Sequence, residues 1–385
     1  MKGRSDLRLL TVVGARPQFV KAAVVSRAIA ASNAEGNRRI AEILVHTGQH
    51  FDDDMSGVFF RELSIPQPQH NLGVHGLSHG AMTGRMLEAV EGVLLRERPD
   101  MVLVYGDTNS TLAAALAAAK LHLPVAHVEA GLRSFNRRMP EEVNRIAVDH
   151  VSSLLFCPSE AAERELRAEG VGRPCGRAEQ PLQRVVRSGD VMCDAVRHYS
   201  ALAARPEGLA ATALAAAEAG GFALCTAHRS ENVDDPQRLR SILEALATLA
   251  GDRPVLFPVH PRTRAAMEAL GPPPSALGLH FLPPQGYLHL LWLLGRAGLV
   301  LTDSGGLQKE AYFLRRPAVV LREQTEWVEL LEVGACELAG AERGAILGAA
   351  GRMWGRRVKD GDVYGDGRAG ERIVRELLRH FGADA

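Results

Sequence analysis

Two carboxylates, two cations, a histidine and a glycine turn stand out in this chain as residues whose types and places could do chemistry. Asp107 and Glu129 each follow a short apolar run, Met101 to Tyr105 and Val125 to Val128, with one helical pattern between the runs. If the runs are neighbouring strands, their ends lie ~5 Å apart, so both carboxylates face one pocket and one of them could keep its proton near neutral pH. That pairing suits general acid–base work. Asp107 has a plainer use as the N-cap of a helix beginning near Asn109, but Glu129 has no capping use, and burying it without a partner would be costly. Pro140-Glu141-Glu142-Val143-Asn144-Arg145 opens a further helix, with Glu141 and Arg145 on one face. The ordinary meaning of such a pair is a surface salt bridge worth about 0.3–0.5 kcal/mol.

Arg16 and Lys21 follow the first apolar run in Gly14-Ala15-Arg16-Pro17-Gln18-Phe19-Val20-Lys21, with Pro17 suited to the first helical position. The helix dipole disfavours cations there, which points to an anionic ligand. In the second half His228-Arg229 ends another apolar run, and a histidine so placed can donate to a phosphate or move a proton. His260 in Val259-His260-Pro261 is read as structural, and Gln285-Gly286-Tyr287 as a turn or a base contact. The stretch Leu299 to Leu321 reads as strand, turn (Asp303-Ser304-Gly305-Gly306), helix from about Leu307, and strand from Pro317. Glycines let a backbone come close to a ligand, and the N–H groups of the first helical turn then suit a diphosphate. Glu310, one to two turns in, fits a ribose diol.

The elements that must position these residues alternate along the whole length, short apolar runs with helical patterns, which signals a parallel sheet built from βαβ units. In the first half the expected strands are Leu7 to Gly14, Ile40 to Thr47, Met101 to Tyr105, Val125 to Val128 and Leu154 to Cys157. A less regular region, Gly170 to Ser188, ends in the connecting strand Val185-Val186. The second half starts again with Phe222 to Thr226, Pro254 to Val259, Leu279 to Leu282, Gly298 to Thr302 and Ala318 to Leu321, and a last helix runs from Glu371 to Phe381. The expectation is α/β, two doubly wound halves with a cleft between them, ligands binding beyond the carboxyl ends of the strands.

At 385 residues the chain can fill two ordinary cores, and 46% hydrophobic with 23% charged residues describes a soluble globular protein. Lys+Arg 45 balances Asp+Glu 45, so no bulk field draws nucleic acid or an anionic membrane, and any anion site is local. Five scattered cysteines (157, 175, 193, 225, 336) without zinc-like spacing point to free thiols in a reducing cytoplasm. The N-terminal apolar run is too short for a signal peptide and no run approaches a membrane span. No Walker A sequence and no Gly-x-Gly-x-x-Gly after a strand supports a kinase, ATPase or dehydrogenase. Nothing suggests a metal or a redox cofactor.

The segments VVGARPQFVKAA, TGQH, YGDTNSTLA, HVEAGLRS, MPEEVNR, TAHRSEN, FPVHPRT, LTDSGGLQKEA and LREQTEW, in this order over about residues 7 to 330, resemble the non-hydrolysing UDP-N-acetylglucosamine 2-epimerase family. The resemblance implies a glycosyltransferase-B-like fold of two Rossmann-like domains, an active site between them, a homodimer, and a final helix that returns to the first domain. Domain limits of 1–187 plus 368–385, and 188–367, follow. Arg16, His228, Ser304, Gly305 and Gly306 would hold the diphosphate and Glu310 the ribose, with Arg322, Gln285 and Leu290 at other nucleotide positions. Lys21, Asp107, Glu129, Glu141, Arg145 and His228 match positions implicated in catalysis. Gly-Ala-Arg-Pro-Gln, Gly-Leu-Arg-Ser-Phe and Thr-Glu-Trp-Val are most similar to members acting on UDP-2,3-diacetamido-2,3-dideoxy-glucuronic acid. Gln49 and His50 match a second, regulatory site of some bacterial members, but Phe51-Asp52-Asp53-Asp54 after them does not resemble the commoner pattern, so the resemblance leaves regulation open.

The implied reaction eliminates UDP across C1–C2 to a glycal and adds it back with a proton on the other face, which needs a base, an acid and cations for the leaving diphosphate. The alternatives are a hydrolysing 2-epimerase that releases UDP, a sugar transferase of the same fold, and a UDP-sugar-binding sensor without turnover.

Overall fold

The structure, a computed structural model, describes residues 6–36, 39–49, 62–63, 65–173, 183–207, 209–271, 278–359 and 361–383. His50, Cys175 and the segment 51–54 lie outside them. The chain divides into two compact units, Met1–Ala195 with Asp362–Ala385, and Val196–Gly361. The division falls inside the helix Val191–Ser200.

The first unit is built on a seven-stranded sheet in the order β3-β2-β1-β4-β5-β6-β7. Its strands are β1 (Asp6–Val13), β2 (Arg39–His46), β3 (His70–Asn71), β4 (Met101–Tyr105), β5 (Val125–Val128), β6 (Leu154–Cys157) and β7 (Arg184–Arg187). All pairings are parallel. β4 to β6 are buried end to end, as strands covered on both faces must be, and so read as unbroken apolar runs. Leu10, Val12, Val45, Val102 and Val104 pack with the helix Asn109–Lys120. Alanines at 113, 114, 115, 117 and 118 are all buried, so this helix is enclosed on nearly every side. The last helix, Ala369–Ala383, belongs to this unit and packs on the helix Arg16–Glu35, where a Cβ on Gly370 would meet Val24 Cγ1 at 3.0 Å. Asp194 caps it, accepting from the N–H of Ala369 and Gly370 at 3.1 and 2.9 Å.

The second unit carries a six-stranded sheet in the order β10-β9-β8-β11-β12-β13. Its strands are β8 (Ala223–Thr226), β9 (Val255–Pro258), β10 (Leu279–Leu282), β11 (Leu299–Thr302), β12 (Ala318–Val320) and β13 (Cys336–Leu338), again parallel throughout. Its core gathers Ala223, Cys225, Leu243, Leu246, Phe257, Leu301 and Ile346. The expected α/β class with two parallel, Rossmann-like sheets is therefore observed. Both sheets reverse their strand order at one place, between β1 and β4 in the first and between β8 and β11 in the second. At such a reversal neighbouring helices leave on opposite faces, which opens a crevice beyond the carboxyl ends of the two strands.

Among the described residues no helix is long and apolar enough to cross a membrane. Cys157, Cys193, Cys225 and Cys336 are free and buried, as their scattered spacing predicts.

Candidate active site

The candidate residues of the first unit follow β1, β4 and β5 or lie on the helix Pro140–Val151, at its strand-order reversal and one strand beyond. β1 ends at Val13, and the helix that follows starts at Arg16 with Ala15 as N-cap, so Pro17 occupies its second position rather than its first. Gly14 is required by crowding: a Cβ there would overlap Thr47 Oγ1 and Ser110 Oγ. Gln18 ties this turn to the end of β4. Its Oε1 accepts from the N–H of Gly14 and Ala15 at 2.8 and 3.0 Å, and its Nε2 donates to Tyr105 O and Thr111 Oγ1, both at 2.9 Å. An amide meets all four because it is donor and acceptor at once.

Lys21, one turn further, reaches across to Glu129, with Nζ 2.5 Å from Oε1 and both residues buried. Gly106 makes room for the pair, since a Cβ on it would lie 3.3 Å from Lys21 Nζ and 3.5 Å from Glu129 Oε1. Glu129 itself holds a left-handed backbone with φ of 71°, a conformation that costs a non-glycine residue about 1–2 kcal/mol. Its N–H and that of Ala130 both donate to Phe156 O, which keeps the turn in place.

Asp107 is not the cap of the next helix. Thr108 takes that role, its side chain accepting from Thr111 N–H. The Asp107 carboxylate instead receives Arg145 Nη2 at 2.5 Å and Nε at 3.2 Å, and Asn144 Nδ2 donates to its carbonyl at 2.8 Å. Arg145 is thus buried and is not part of a surface bridge. It also donates to Glu142 at 3.0 Å, and the half-buried Glu141 stands at the start of the same helix, Pro140–Val151. Glu142, wholly buried, also accepts from Ser134 N–H, Ser134 Oγ and Phe135 N–H, each at 2.9 Å. Gln49 has a local use, its Oε1 accepting from Ser110 Oγ at 2.8 Å.

In the second unit the reversal is organised by Asp303, which spacing alone did not single out. Fully buried at the end of β11, it accepts from His228 N–H (2.9 Å), Arg229 N–H (2.9 Å) and Asn232 Nδ2 (3.2 Å). His228 Nδ1 lies 3.3 Å from the same carboxylate. The turns after β8 and β11 are therefore tied together, and the ring of His228 is oriented by an acid on its Nδ1 side. His260 has a structural use: it caps Pro261–Leu270, its Nδ1 accepting from Arg262 N–H at 3.2 Å.

Ser304 is the N-cap of a helix that starts at Gly305, two residues earlier than the sequence suggests, and its Oγ accepts from Leu307 N–H at 3.4 Å. Both glycines have ordinary helical backbones, and they differ in their surroundings. A Cβ on Gly305 would overlap Glu326 Oε1 and approach Trp327 Nε1 to 3.2 Å, whereas one on Gly306 would meet nothing nearer than Ser304 Oγ at 3.9 Å. Arg322 donates to Glu326 and to Glu231, both at 3.0 Å. Burial alone would lower this guanidinium, but Glu326 and Glu231 overcome that and hold it above its ordinary range. Glu310 is buried on the second turn of the helix. Gln285 and Leu290 are farther off: they follow β10, two strands from β8, and Gln285 Nε2 turns back to Pro283 O at 2.9 Å.

Replacing each glycine by alanine separates packing from binding. Gly305→Ala should cost about 1–3 kcal/mol of stability, because Glu326 is held by Arg322 and cannot yield freely. Gly306→Ala should leave stability equal or up to about 1 kcal/mol higher, by helix propensity, yet weaken UDP if the backbone there touches phosphate. Thermal melts and calorimetric titration with UDP read both; equal destabilisation by the two variants would contradict the distinction.

Two parallel-sheet units, each with polar residues gathered beyond the carboxyl ends of its strands, define a doubly wound α/β protein of the ligand-binding kind. The UDP-N-acetylglucosamine 2-epimerase family model matches residues 32–378, and the chain belongs to that family. It is 51% identical over 375 residues to UDP-2,3-diacetamido-2,3-dideoxy-D-glucuronate 2-epimerase of Pseudomonas aeruginosa, covering 97% of this chain and 100% of that one. It is 38% identical to UDP-N-acetylglucosamine 2-epimerase of Methanocaldococcus jannaschii, covering 96% and 99%. The crystal structure of the M. jannaschii enzyme in complex with UDP-GlcNAc and UDP aligns with a TM-score of 0.84 over 97% of this chain and all of that one, at 37% identity. That of UDP-GlcNAc 2-epimerase from Neisseria meningitidis bound to UDP-GlcNAc gives 0.82 at 28% identity, covering 97% and 100%. The protein is thus an isomerase of the epimerase kind.

Proposed function

We propose that the protein inverts C2 of a UDP-2-acetamido sugar without releasing UDP, and that its substrate is UDP-2,3-diacetamido-2,3-dideoxy-glucuronate. The observation that carries the reaction is the pairing of two candidate carboxylates with cations at the neighbouring ends of β4 and β5, Glu129 with Lys21 and Asp107 with Arg145. The substrate choice is supported by the 51% identical relative named for that sugar.

The C2 hydrogen of a glycosidic pyranose is not next to a carbonyl, so a base alone cannot invert the centre. One carboxylate takes the C2 proton while the C1–O bond breaks, its electron pair leaving with UDP, and a C1=C2 glycal forms. UDP oxygen then attacks C1 as a proton returns to C2 on the opposite face. Asp107, Glu129 and Glu141 supply the acid and base types. Arg16, His228, the Ser304 hydroxyl and the N–H groups at Gly305 and Gly306 hold the diphosphate, the first helical turn stabilising the charge that develops on it. Glu310 takes the ribose, with Arg322, Gln285 and Leu290 at the remaining nucleotide positions. The reading extends to a homodimer in the cytoplasm.

Incubation in D2O with UDP-GlcNAc and with the diacetamido uronate, followed by NMR, tests the function. Deuterium should appear at C2 of both epimers of the uronate with UDP still attached. No exchange with either sugar would sink the proposal, and accumulating free sugar would establish a hydrolysing enzyme instead.

A further inference from the structure

A buried charge cluster lies under the two carboxylate-bearing turns and reaches them through their backbones. His127, in β5 and wholly buried, has Nδ1 2.7 Å from Asp149 Oδ1 and Nε2 2.7 Å from the carbonyl oxygen of Gly106. The other oxygen of Asp149 accepts from Gly131 N–H at 3.1 Å and Arg133 Nη1 at 2.7 Å. Arg133 in turn binds Glu169 through Nε and Nη2, at 2.6 and 2.7 Å. Burial would raise the Asp149 carboxyl, but the hydrogen bonds and charges of His127 and Arg133 overcome it and hold it below its ordinary range. With a carboxylate at one nitrogen and a carbonyl at the other, both nitrogens of His127 face acceptors, and each of these bonds is made only where that nitrogen carries a proton.

The ends of this cluster fall on special backbone. Gly106, which precedes Asp107, has φ of 60°, and Gly131, two residues after Glu129, has φ of 84°, with Glu129 itself left-handed between His127 and Gly131. Asp149 therefore holds the Glu129 turn directly, at Gly131, and the Asp107 turn through His127, at Gly106.

We propose that Asp149, acting through His127, is a positioning residue that fixes the Asp107 and Glu129 turns in one relative geometry for proton transfer at C2. The proposal rests on the reading that these two carboxylates handle that proton. Neither Asp149 nor His127 is assigned contact with the sugar. A carboxylate displaced by about 1 Å can lose on the order of 100-fold in rate, so the relation between the turns, rather than nucleotide affinity, is what the cluster controls.

The test is Asp149→Asn. Its oxygen still accepts from Gly131 and Arg133, but its NH2 now faces His127 Nδ1, so the ring must give up that proton. Turnover per folded enzyme, measured as C2 deuterium exchange, should fall about 10- to 100-fold while UDP affinity stays within about threefold. A purely structural role would lower the melting temperature and the active fraction but leave turnover per folded enzyme intact; turnover within about twofold of the parent would overturn the proposal. Should the variant not fold, 15N spectra of histidine-labelled parent enzyme decide the matter. His127, assigned by its loss in His127→Gln, should carry both ring protons at the assay pH, and a singly protonated ring would overturn the proposal. If the parent enzyme itself exchanges no C2 hydrogen, the functional reading fails, while the ring spectrum still reports on the His127–Asp149 pair.

Discussion

Glu129→Gln should lower turnover by about 10²- to 10⁴-fold, the usual worth of a positioned acid or base, and change UDP affinity by no more than about threefold. The amide fills the same space, so the left-handed turn and its two N–H bonds to Phe156 O persist. What is lost is the negative charge 2.5 Å from Lys21 and the capacity to take or return a proton. Lys21, buried at the same site, then faces a neutral oxygen. Steady-state kinetics alongside calorimetric UDP titration would separate the two effects. Turnover above about a tenth of the parent value, with the same exchange of C2 hydrogen, would remove Glu129 from the proton-transfer step.

Asp303→Ala should be the most destabilising of the site substitutions, by about 3–5 kcal/mol. The aspartate is fully buried and satisfies two backbone N–H groups and the Asn232 amide. Each buried donor left without an acceptor costs about 1–3 kcal/mol, against a total stability of about 5–15 kcal/mol for an ordinary domain. Asp303→Asn keeps one acceptor oxygen and should cost less than half as much. Urea unfolding of the two variants would show this order, and an alanine variant within about 1 kcal/mol of the parent would mean that water or a backbone shift satisfies the orphaned groups.

The sheets were legible in the sequence because covered parallel strands leave unbroken apolar runs, and the expected and observed limits of β1, β2, β4, β5, β6, β8, β9 and β11 agree to about one residue. β3 and β13, two and three residues long, are too short to leave such a trace. The candidate residues were legible because polar side chains directly after apolar runs have few other reasons to be there. Their partners were not. Asp107 and Arg145 are 38 positions apart, and nothing in their spacing says that the helix Pro140–Val151 lies over the β4 end. Helix phase decided the rest: it turns Glu142 onto Arg145 and the Ser134 turn, and it turns Asn144, Arg145, Val148 and Asp149 inward together. A lone histidine inside the run Val125–Val128 was itself a signal, since a wholly buried imidazole must find partners. Asp303 left a weaker one, an acid placed directly after four buried strand residues.

The segment between Glu129 and the helix Pro140–Val151 is fastened at its root by Glu142, and its tip is exposed and, among the described residues, bonded only within itself and to the neighbouring Ser134. Glu142 holds Ser134 and Phe135 by three hydrogen bonds, while the Phe135 side chain is 75% exposed and Arg137 and Arg138 stand in solvent. Because the fastening lies inside the tip, changes of length or side chain between residues 136 and 138 are absorbed before they reach Arg145 and Asp107. Such a segment can drift in evolution while the ion pair of Asp107 and Arg145 stays still.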